Sequence, residues 1–182
     1  MDNYDYIMNL NTRAVLVLTQ LALPYLIKSQ GEIVMVSSVA GLNTAGITLP
    51  YYCMSKSALD QLMRALATKY IDQGVRVNSV NPGLITTTIM QKQGATADQQ
   101  SKVLISHMNF YVIIVIFKKE AYLTSDWKLI PARRAGSPRD VAEAIAFLAD
   151  RRLSSYVVGH TLVVDGGSSI VNPLLVNYTI DK

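Results

Sequence analysis

Short runs of apolar, often β-branched residues alternate with longer segments of helical periodicity, and this alternation restricts the fold more than any other feature of the chain. Apolar residues recur at helical spacing from Tyr4 to Lys28 and again from near Pro50 to Tyr70. The predicted strands are Ile33 to Val36, Val75 to Val80 and His160 to Val164, and the first has the composition of a strand buried on both faces. The pattern predicts βαβ units and a doubly wound parallel sheet.

Local breakers and caps predict where several of these elements begin and end. Gly74 ends the second helix, and the sequence Asn81-Pro82-Gly83 begins a loop after the middle strand. Ser137 is predicted as the N-cap of a further helix, with Pro138 at its first position and Asp140 three residues after the cap.

Composition narrows the class of protein. The 182 residues fit one domain, and the net charge of +4 comes from dispersed basic residues rather than a nucleic-acid-binding stripe. No uninterrupted run of about 18 apolar residues predicts a membrane span. The single cysteine, Cys53, excludes an internal disulfide, and the first residues lack the pattern of a signal peptide. We therefore expect a globular protein of the cytoplasm with no nucleic-acid partner and no membrane span.

One apolar stretch departs from the alternating pattern. Residues 110–117 read F-Y-V-I-I-V-I-F, which is too short for a membrane helix and prone to aggregation if exposed. Three interpretations stay open: a buried segment of a substrate lid, an artefact of the gene model such as an unspliced intron, and a contact with a partner or a membrane surface.

Tyr52 and Lys56 form the first candidate for chemistry. They are four residues apart on the second predicted helix, so their side chains share one face. A nearby ammonium favours the phenolate and lowers the pKa of a tyrosine from its ordinary value of about 10, so that Tyr52 can move a proton to or from a carbinol oxygen. Tyr51 lies about 140° from Lys56 around the helix and is the worse candidate.

Ser38 lies fourteen residues before Tyr52, just after the strand Ile33 to Val36. Ligands of open α/β sheets bind at this end of the strands. A hydroxyl here can hydrogen-bond a substrate carbonyl and the developing alkoxide. A turn-forming or helix-capping serine is the alternative interpretation.

Four ordered motifs, V-S-S-V-A-G at 36–41, Y-C-M-S-K at 52–56, R-V-N-S-V-N-P-G at 76–83 and V-V-D-G-G at 163–167, resemble those of the short-chain dehydrogenase/reductase family over most of residues 4–168. The resemblance implies that Ser38 orients the substrate and that Tyr52 is the general acid/base. It implies that Lys56 lowers the pKa of the tyrosine and holds the nicotinamide ribose. It also implies that Asn11, with Asn9 as a near competitor, sustains a proton-relay water beside the lysine.

The resemblance further implies NAD or NADP as the cofactor. The segment beginning at Pro82 and Gly83 resembles the loop that closes on the nicotinamide, with the backbone near Ile85 at the carboxamide and Thr87 at the amide or the phosphates. Family members start with a T-G-x-x-x-G-x-G turn that receives the pyrophosphate, and the 182 residues contain no such turn.

We therefore expect residues 1–182 to form a single partial Rossmann-like domain, the C-terminal part of a doubly wound sheet, with residues 169–182 as a tail. The strand Ile33 to Val36 then has an open edge. The expected function is an NAD(P)-dependent oxidoreductase that interconverts alcohol and carbonyl groups of a small molecule, as a homo-oligomer. The alternatives are an inactive truncated isoform that pairs with full-length relatives through the helices Tyr4 to Lys28 and Pro50 to Tyr70, and a fragment without function.

Overall fold

The computed structural model describes residues 2–42, 49–86 and 130–170, in which helices pack against a parallel sheet of three strands. The strands are β1 Glu32–Val36, β2 Arg76–Pro82 and β3 Thr161–Val164. The α-helices are α1 Asp2–Met8, α2 Ala14–Ser29, α3 Pro50–Tyr70, α4 Pro138–Ala149 and α5 Arg151–Ser154. Thr87 and residues 110–117 lie outside the described residues.

The first helical run contains a feature that the apolar pattern does not predict. A π turn, Asn9–Arg13, lies between α1 and α2. Such a turn inserts one extra residue into the helical hydrogen-bond ladder, and these insertions are frequent at functional sites. The run ends at Gln30, which takes the left-handed conformation with φ 52°, as the residue that closes a helix often does.

The sheet has the order β1-β2-β3, with both pairs parallel. β2 is central and buried over its first six residues. In β1 only Met35 is buried, and the side chain of Val36 is 49% exposed. The prediction that this strand is buried on both faces is therefore wrong. The strand is partly exposed because it lies at the edge of the sheet. Within the described ranges no strand pairs with its outer side, which is the open edge that was predicted.

Two hydrophobic clusters flank the sheet. The first is formed by α3 with β1 and β2, and its buried members are Met35, Leu59, Met63, Leu66, Ala67, Val75 and Val77. The second is formed by α4 and β2, with Val80, Val141 and Leu148 buried. Since β2 contributes to both, it fixes the position of the helices on either face.

The predicted cap of α4 is confirmed. Ser137 accepts a hydrogen bond from the backbone N–H of Asp140, and the carboxylate of Asp140 accepts one from the backbone N–H of Ser137. This reciprocal capping box satisfies two donors that a helix start would otherwise leave without partners.

The helical run Asn3–Ser29 is long and apolar enough to cross a membrane by length and composition alone. Its most apolar 18-residue window has a mean hydropathy of 1.3, and 11% of that window is buried. This is weak evidence for a span, because packed helices of water-soluble proteins pass the same test. Here Asn9, Asn11 and Arg13 interrupt the apolar sequence, and the π turn hydrogen-bonds to α3.

Candidate active site

The candidate site lies where β1 ends and the chain turns toward α3. Ser38 follows the strand with extended backbone angles and begins a short 3-10 turn, Val39–Gly41. Its hydroxyl oxygen accepts a hydrogen bond from the backbone N–H of Ala40 at 3.2 Å. The capping interpretation of Ser38 therefore describes its geometry. It does not exclude a second role, since a hydroxyl that accepts one hydrogen bond still has a proton to donate.

Tyr52 and Lys56 lie on the first two turns of α3 and share one face, as their spacing predicts. Lys56 Nζ lies 5.7 Å from the centroid of the Tyr52 ring. The same Nζ donates a hydrogen bond to the carbonyl of Val36 at 3.1 Å. This contact ties the helix to the end of β1 and so brings Lys56 close to the Ser38 turn.

The protonation equilibria of both groups are shifted by burial. Burial raises the pKa of Tyr52, a hydrogen bond from the Ser38 side chain opposes that rise, and the neighbouring Cys53 adds to it. Burial lowers the pKa of Lys56, and the negative charge of Asp60 opposes that fall. The net rise for Tyr52 is opposite to the direction predicted from sequence. Desolvation of the phenolate outweighs its hydrogen bond, and Nζ of Lys56 is directed at a carbonyl oxygen.

The neighbouring tyrosine is separated from this constellation. Tyr51 is 42% exposed, and its ring packs edge-on against that of Tyr4 at a centroid distance of 5.5 Å. The described contacts thus place Tyr51 toward the N-terminal helix, whereas Tyr52 meets Ser38 and Lys56. Of the two tyrosines, Tyr52 is therefore the one whose ring lies near Lys56 Nζ.

Asn11 reaches the site through an intermediate residue. Its Nδ2 donates to Oγ of Ser55 at 3.1 Å, and that hydroxyl donates to the carbonyl of Tyr52 at 2.7 Å. Thr12, the next residue of the π turn, donates to the carbonyl of Ser55 at 3.1 Å. Asn9 is exposed. Of the two asparagines, Asn11 is therefore the one that contacts α3.

The loop after β2 is fixed by contacts with two later segments. The backbone N–H of Gly83 donates to the carbonyl of Val164 at 3.0 Å, and that of Thr86 to the carbonyl of Gly136 at 2.8 Å. Ile85 forms a parallel bridge with Gly136. A Cβ on Gly83 would lie 2.7 Å from Cβ of Asp165, so a glycine is needed for this approach. Pro82 ends β2, which directs the loop across the carboxyl edge of the sheet.

Two depressions adjoin these elements. A smaller, partly open one of about 120 Å³ lies beside the loop and is lined by Ile85, Arg134, Gly136 and Asp140 among others. A more open one of about 550 Å³ lies between the N-terminal helical run, the turn after Ser38 and the start of α3, and is lined by mainly apolar groups, including Met8, Ala40, Cys53 and Met54. In the described ranges no group of three His, Cys, Asp or Glu side chains has the arrangement of a metal site.

Sequence reasoning missed three polar residues at this end of the sheet. Ser55 is fully buried on the face of α3 that contacts the N-terminal helical run. Asp60 of α3 is 1% exposed and contacts the fully buried Asn81 of β2. Ser55 lies in the Y-C-M-S-K motif and Asn81 in the R-V-N-S-V-N-P-G motif. Neither motif indicates which residues these side chains hydrogen-bond. The one available signal is Asp60, an acidic residue between the apolar Leu59 and Leu62 on a helix that packs against a sheet.

Two protein-family models match most of the chain. A family model described as short chain dehydrogenase matches residues 1–98, and one described as enoyl-(acyl carrier protein) reductase matches residues 115–169. The first of these covers more than half of the 182 residues.

Individual relatives match nearly the full chain. Oxidoreductase UcpA of Salmonella typhimurium is 33% identical over 170 residues, which are 93% of this chain and 58% of the relative. The structure of a short-chain dehydrogenase/reductase of unknown function from Caenorhabditis elegans, determined with cofactor, is 35% identical with a TM-score of 0.79 and covers 97% of this chain and 59% of that one. Glucose dehydrogenase of the same organism, in its apo form, is 40% identical with a TM-score of 0.69 and covers 93% and 59%. The chain therefore spans less than two thirds of the length of these proteins.

Proposed function

The chain belongs to the short-chain dehydrogenase/reductase family, and on that premise we propose that its site interconverts an alcohol and a carbonyl group with NAD or NADP. One observation carries the proposal. Ser38, Tyr52 and Lys56 converge at the carboxyl end of β1, where Lys56 Nζ donates to the Val36 carbonyl and lies 5.7 Å from the centroid of the Tyr52 ring, and the Ser38 side chain acts to lower the pKa of Tyr52.

Each of the three side chains has a distinct task in this proposal. The Ser38 hydroxyl donates to the substrate oxygen and keeps the reacting carbon in place. Tyr52 gives its proton to that oxygen during reduction and takes the proton back during oxidation. The positive charge of Lys56 favours the phenolate that Tyr52 forms after it gives up the proton. A bound nicotinamide supplies the hydride in one direction and accepts it in the other.

The described residues fit one end of such a dinucleotide. An ammonium has three donors, and one of those on Lys56 bonds to the Val36 carbonyl, so the others can bind ribose hydroxyls. The loop Pro82–Thr86 crosses the same edge of the sheet and can meet the carboxamide through its backbone. In contrast, the 182 residues contain no T-G-x-x-x-G-x-G turn for the pyrophosphate. Binding must therefore be measured before turnover.

The decisive experiment is to titrate residues 1–182 with NADH and NADPH by fluorescence or calorimetry and then to assay turnover. Tyr52→Phe should lower turnover by about 10²-fold or more, because it removes the proton carrier, while it leaves cofactor affinity within about twofold. Tyr51→Phe is the matched control, since it makes the same change one residue away on an exposed ring, and it should keep wild-type turnover. Equal activity of the Tyr52 and Tyr51 variants contradicts the assignment, and no saturable binding by folded protein excludes catalysis by this chain alone.

An interaction function is the second candidate, and the exposed apolar side chains of the first helical run favour it. Leu10, Leu18, Leu21 and Tyr25 are between 55% and 76% exposed. A patch of this kind marks a surface that another chain covers. The proposed partner is a second copy of this chain or a full-length member of the family.

This second candidate can be tested by co-expression with a full-length relative. Leu18→Glu with Leu21→Glu should abolish co-purification if these side chains form the contact. Tyr156→Glu is the control, because Tyr156 is a fully exposed aromatic residue on the turn after α5, and it should leave co-purification unchanged. A monodisperse monomer in the presence of the relative contradicts the interaction function.

A further inference from the structure

Asp60 is a buried carboxylate behind the candidate site. It lies one helical turn after Lys56 on α3 and is 1% exposed. Oδ2 accepts a hydrogen bond from Nδ2 of Asn81 at 2.9 Å, and Oδ1 accepts one from Oγ of Ser79 at 3.4 Å. Among the described residues no Lys, Arg or His forms an ion pair with it. Its negative charge is therefore stabilised by neutral donors of β2, which is an expensive arrangement for a purely structural group.

Asn81 links this carboxylate to the turn that carries Ser38. The same Nδ2 that donates to Asp60 also donates to the backbone carbonyl of Ser38 at 2.9 Å. That carbonyl accepts a second hydrogen bond from the backbone N–H of Gly41 at 3.0 Å. The position of the Ser38 backbone is thus set by two donors, one of which is oriented by Asp60.

Gly41 gives an independent sign of the close approach of the turn to α3. A Cβ at this position would lie 2.8 Å from Oδ2 of Asp60 and 2.9 Å from the carbonyl carbon of Lys56. Both distances are shorter than a real Cβ contact, so any larger residue would push the turn away from the helix. The Ser38 turn therefore packs directly on Asp60 and on the backbone of Lys56.

Asp60 also acts on Lys56 through its charge. The negative charge raises the pKa of Lys56 and so opposes the effect of burial. The other titratable groups that the described contacts place around this pair are Tyr52 and Cys53, on the same helix. The elements packed against them contribute only uncharged polar groups here, namely Asn11, Thr12, Ser37, Ser38, Ser79 and Asn81.

We propose that Asp60 is a positioning residue of this site, which fixes the Ser38 turn through Asn81 and maintains the positive charge of Lys56. The expected effect on turnover rests on the proposed function. The fixed position of the Ser38 turn and the effect on the charge of Lys56 do not, because both exist in the protein without substrate. Asp60 itself contacts neither the Ser38 hydroxyl nor the Tyr52 phenol, and it acts through neighbouring residues.

The charge effect is tested by Asp60→Asn in residues 1–182. Asparagine keeps the shape and an acceptor for Asn81 and removes the charge. NMR of selectively labelled lysine should show the titration midpoint of Lys56 shifted to lower pH than in the wild type. Asp72→Asn is the matched control, because Asp72 is exposed on the 3-10 turn after α3, and it should leave the midpoint unchanged. An unchanged Lys56 midpoint in folded Asp60→Asn overturns the charge effect.

The positional effect is tested by Asn81→Ala, which keeps the charge of Asp60 and also decides the proposal if Asp60→Asn fails to fold. The amide of Gly41 should exchange with solvent about two- to tenfold faster, the factor that corresponds to one lost hydrogen bond. The amide of Gly159, which donates to Val77 at 2.9 Å away from the site, should keep its rate and serves as the internal reference. Equal acceleration of both amides means general destabilisation and overturns the positional effect.

Turnover gives a separate readout. If the wild type oxidises an alcohol, Asp60→Asn should need a higher pH for the same fraction of maximal rate, because a less fully charged Lys56 favours the Tyr52 phenolate less. A merely structural role would lower the rate without moving the profile, and that result overturns the proposal. Absence of turnover in the wild type contradicts the proposed function instead, and the two NMR measurements still decide the role of Asp60.

Discussion

Buried polar side chains lie at both ends of β2, but the charged groups at the two ends are arranged differently. At the amino end Arg76 is 1% exposed and donates to three backbone carbonyls, those of Leu148, Ser154 and Val157. Its Nη2 lies 3.3 Å from Oε1 of Glu32, which accepts a further hydrogen bond from Nε of Arg151 at 2.6 Å. Opposite charges therefore meet directly at this end.

At the carboxyl end the charged groups do not meet. Asp60 is surrounded by amide and hydroxyl donors, and Lys56 bonds to a carbonyl rather than to a carboxylate. The charge of Asp60 instead acts on Lys56 without direct contact, because it opposes the fall in the pKa of Lys56 that burial causes. The comparison teaches that burial of polar groups does not by itself indicate function. Paired charges at the amino end join separate elements of the fold, whereas the unpaired charges at the carboxyl end lie beside the side chains proposed for the chemistry.

Among substitutions at the two ends of β2, we expect Arg76→Met to lower the free energy of unfolding the most. The change leaves Glu32 with one fewer cation and removes the Arg76 donor from three carbonyls, two of them in buried contacts, so the free energy of unfolding should fall by about 3 to 5 kcal/mol. Urea denaturation followed by circular dichroism measures this fall. Arg139→Met is the control, because Arg139 forms an exposed ion pair with Glu143 at 2.8 Å, and it should leave the denaturation midpoint within error. A similar small change for both variants would contradict a stabilising role for the amino end.

A smaller effect is expected from Ser55→Ala at the carboxyl end. It removes the hydroxyl between Asn11 and the Tyr52 carbonyl, at a cost of about 1 kcal/mol in the free energy of unfolding. If Asn11 loosens as a result, amides of the π turn should exchange faster than those of β2. Ser29→Ala, which removes an exposed hydroxyl bonded within its own helix, is the control. Uniform exchange rates in Ser55→Ala would show that the carboxyl end is no less rigidly held than the amino end.

The smallest effect concerns an exposed ion pair that contrasts with both buried ends. Hydrogen bonds from Arg134 and Ser137 hold the pKa of Asp140 well below its ordinary value of 3.8. A carboxyl group with a depressed pKa in the folded state stabilises the protein above its unfolded pKa, and this contribution is lost as the pH falls through the folded value. The denaturation curves of Asp140→Asn and wild type should therefore differ at neutral pH and converge as the pH falls below 3.8. A constant difference down to low pH would contradict this linkage.

Much of the secondary structure follows from local sequence. The helix Pro50–Tyr70 has the predicted bounds, and the cap at Ser137 is present as predicted, because periodicity and capping residues act within a few positions. The exposure of β1 could not be read from its composition. An apolar strand is buried only if neighbours cover it, and those neighbours are set by the order of strands in the sheet.

The candidate site also has features that the sequence predicts and features that depend on packing. Tyr52 and Lys56 share a face because of helix geometry alone, and Ser38 is adjacent because parallel strands end on one edge. The partners of Ser55, Asp60 and Asn81 were not predictable, since Asp60 and Asn81 are 21 residues apart and meet only when α3 packs on β2. The direction of the Tyr52 shift also depends on packing, because desolvation is a property of the surrounding atoms.

The sequence by itself determined the family, the order of helices and strands, and the three side chains proposed for the chemistry. The tertiary structure alone decided that β1 is an edge strand, that Asn11 reaches Tyr52 through Ser55, and that a buried Asp60 lies behind Ser38 and Lys56. The physical reason is the distance along the chain over which the interactions act. Helix periodicity, capping and motif spacing are set by neighbours along the chain, whereas burial, desolvation and hydrogen bonds between elements depend on residues that only folding brings together.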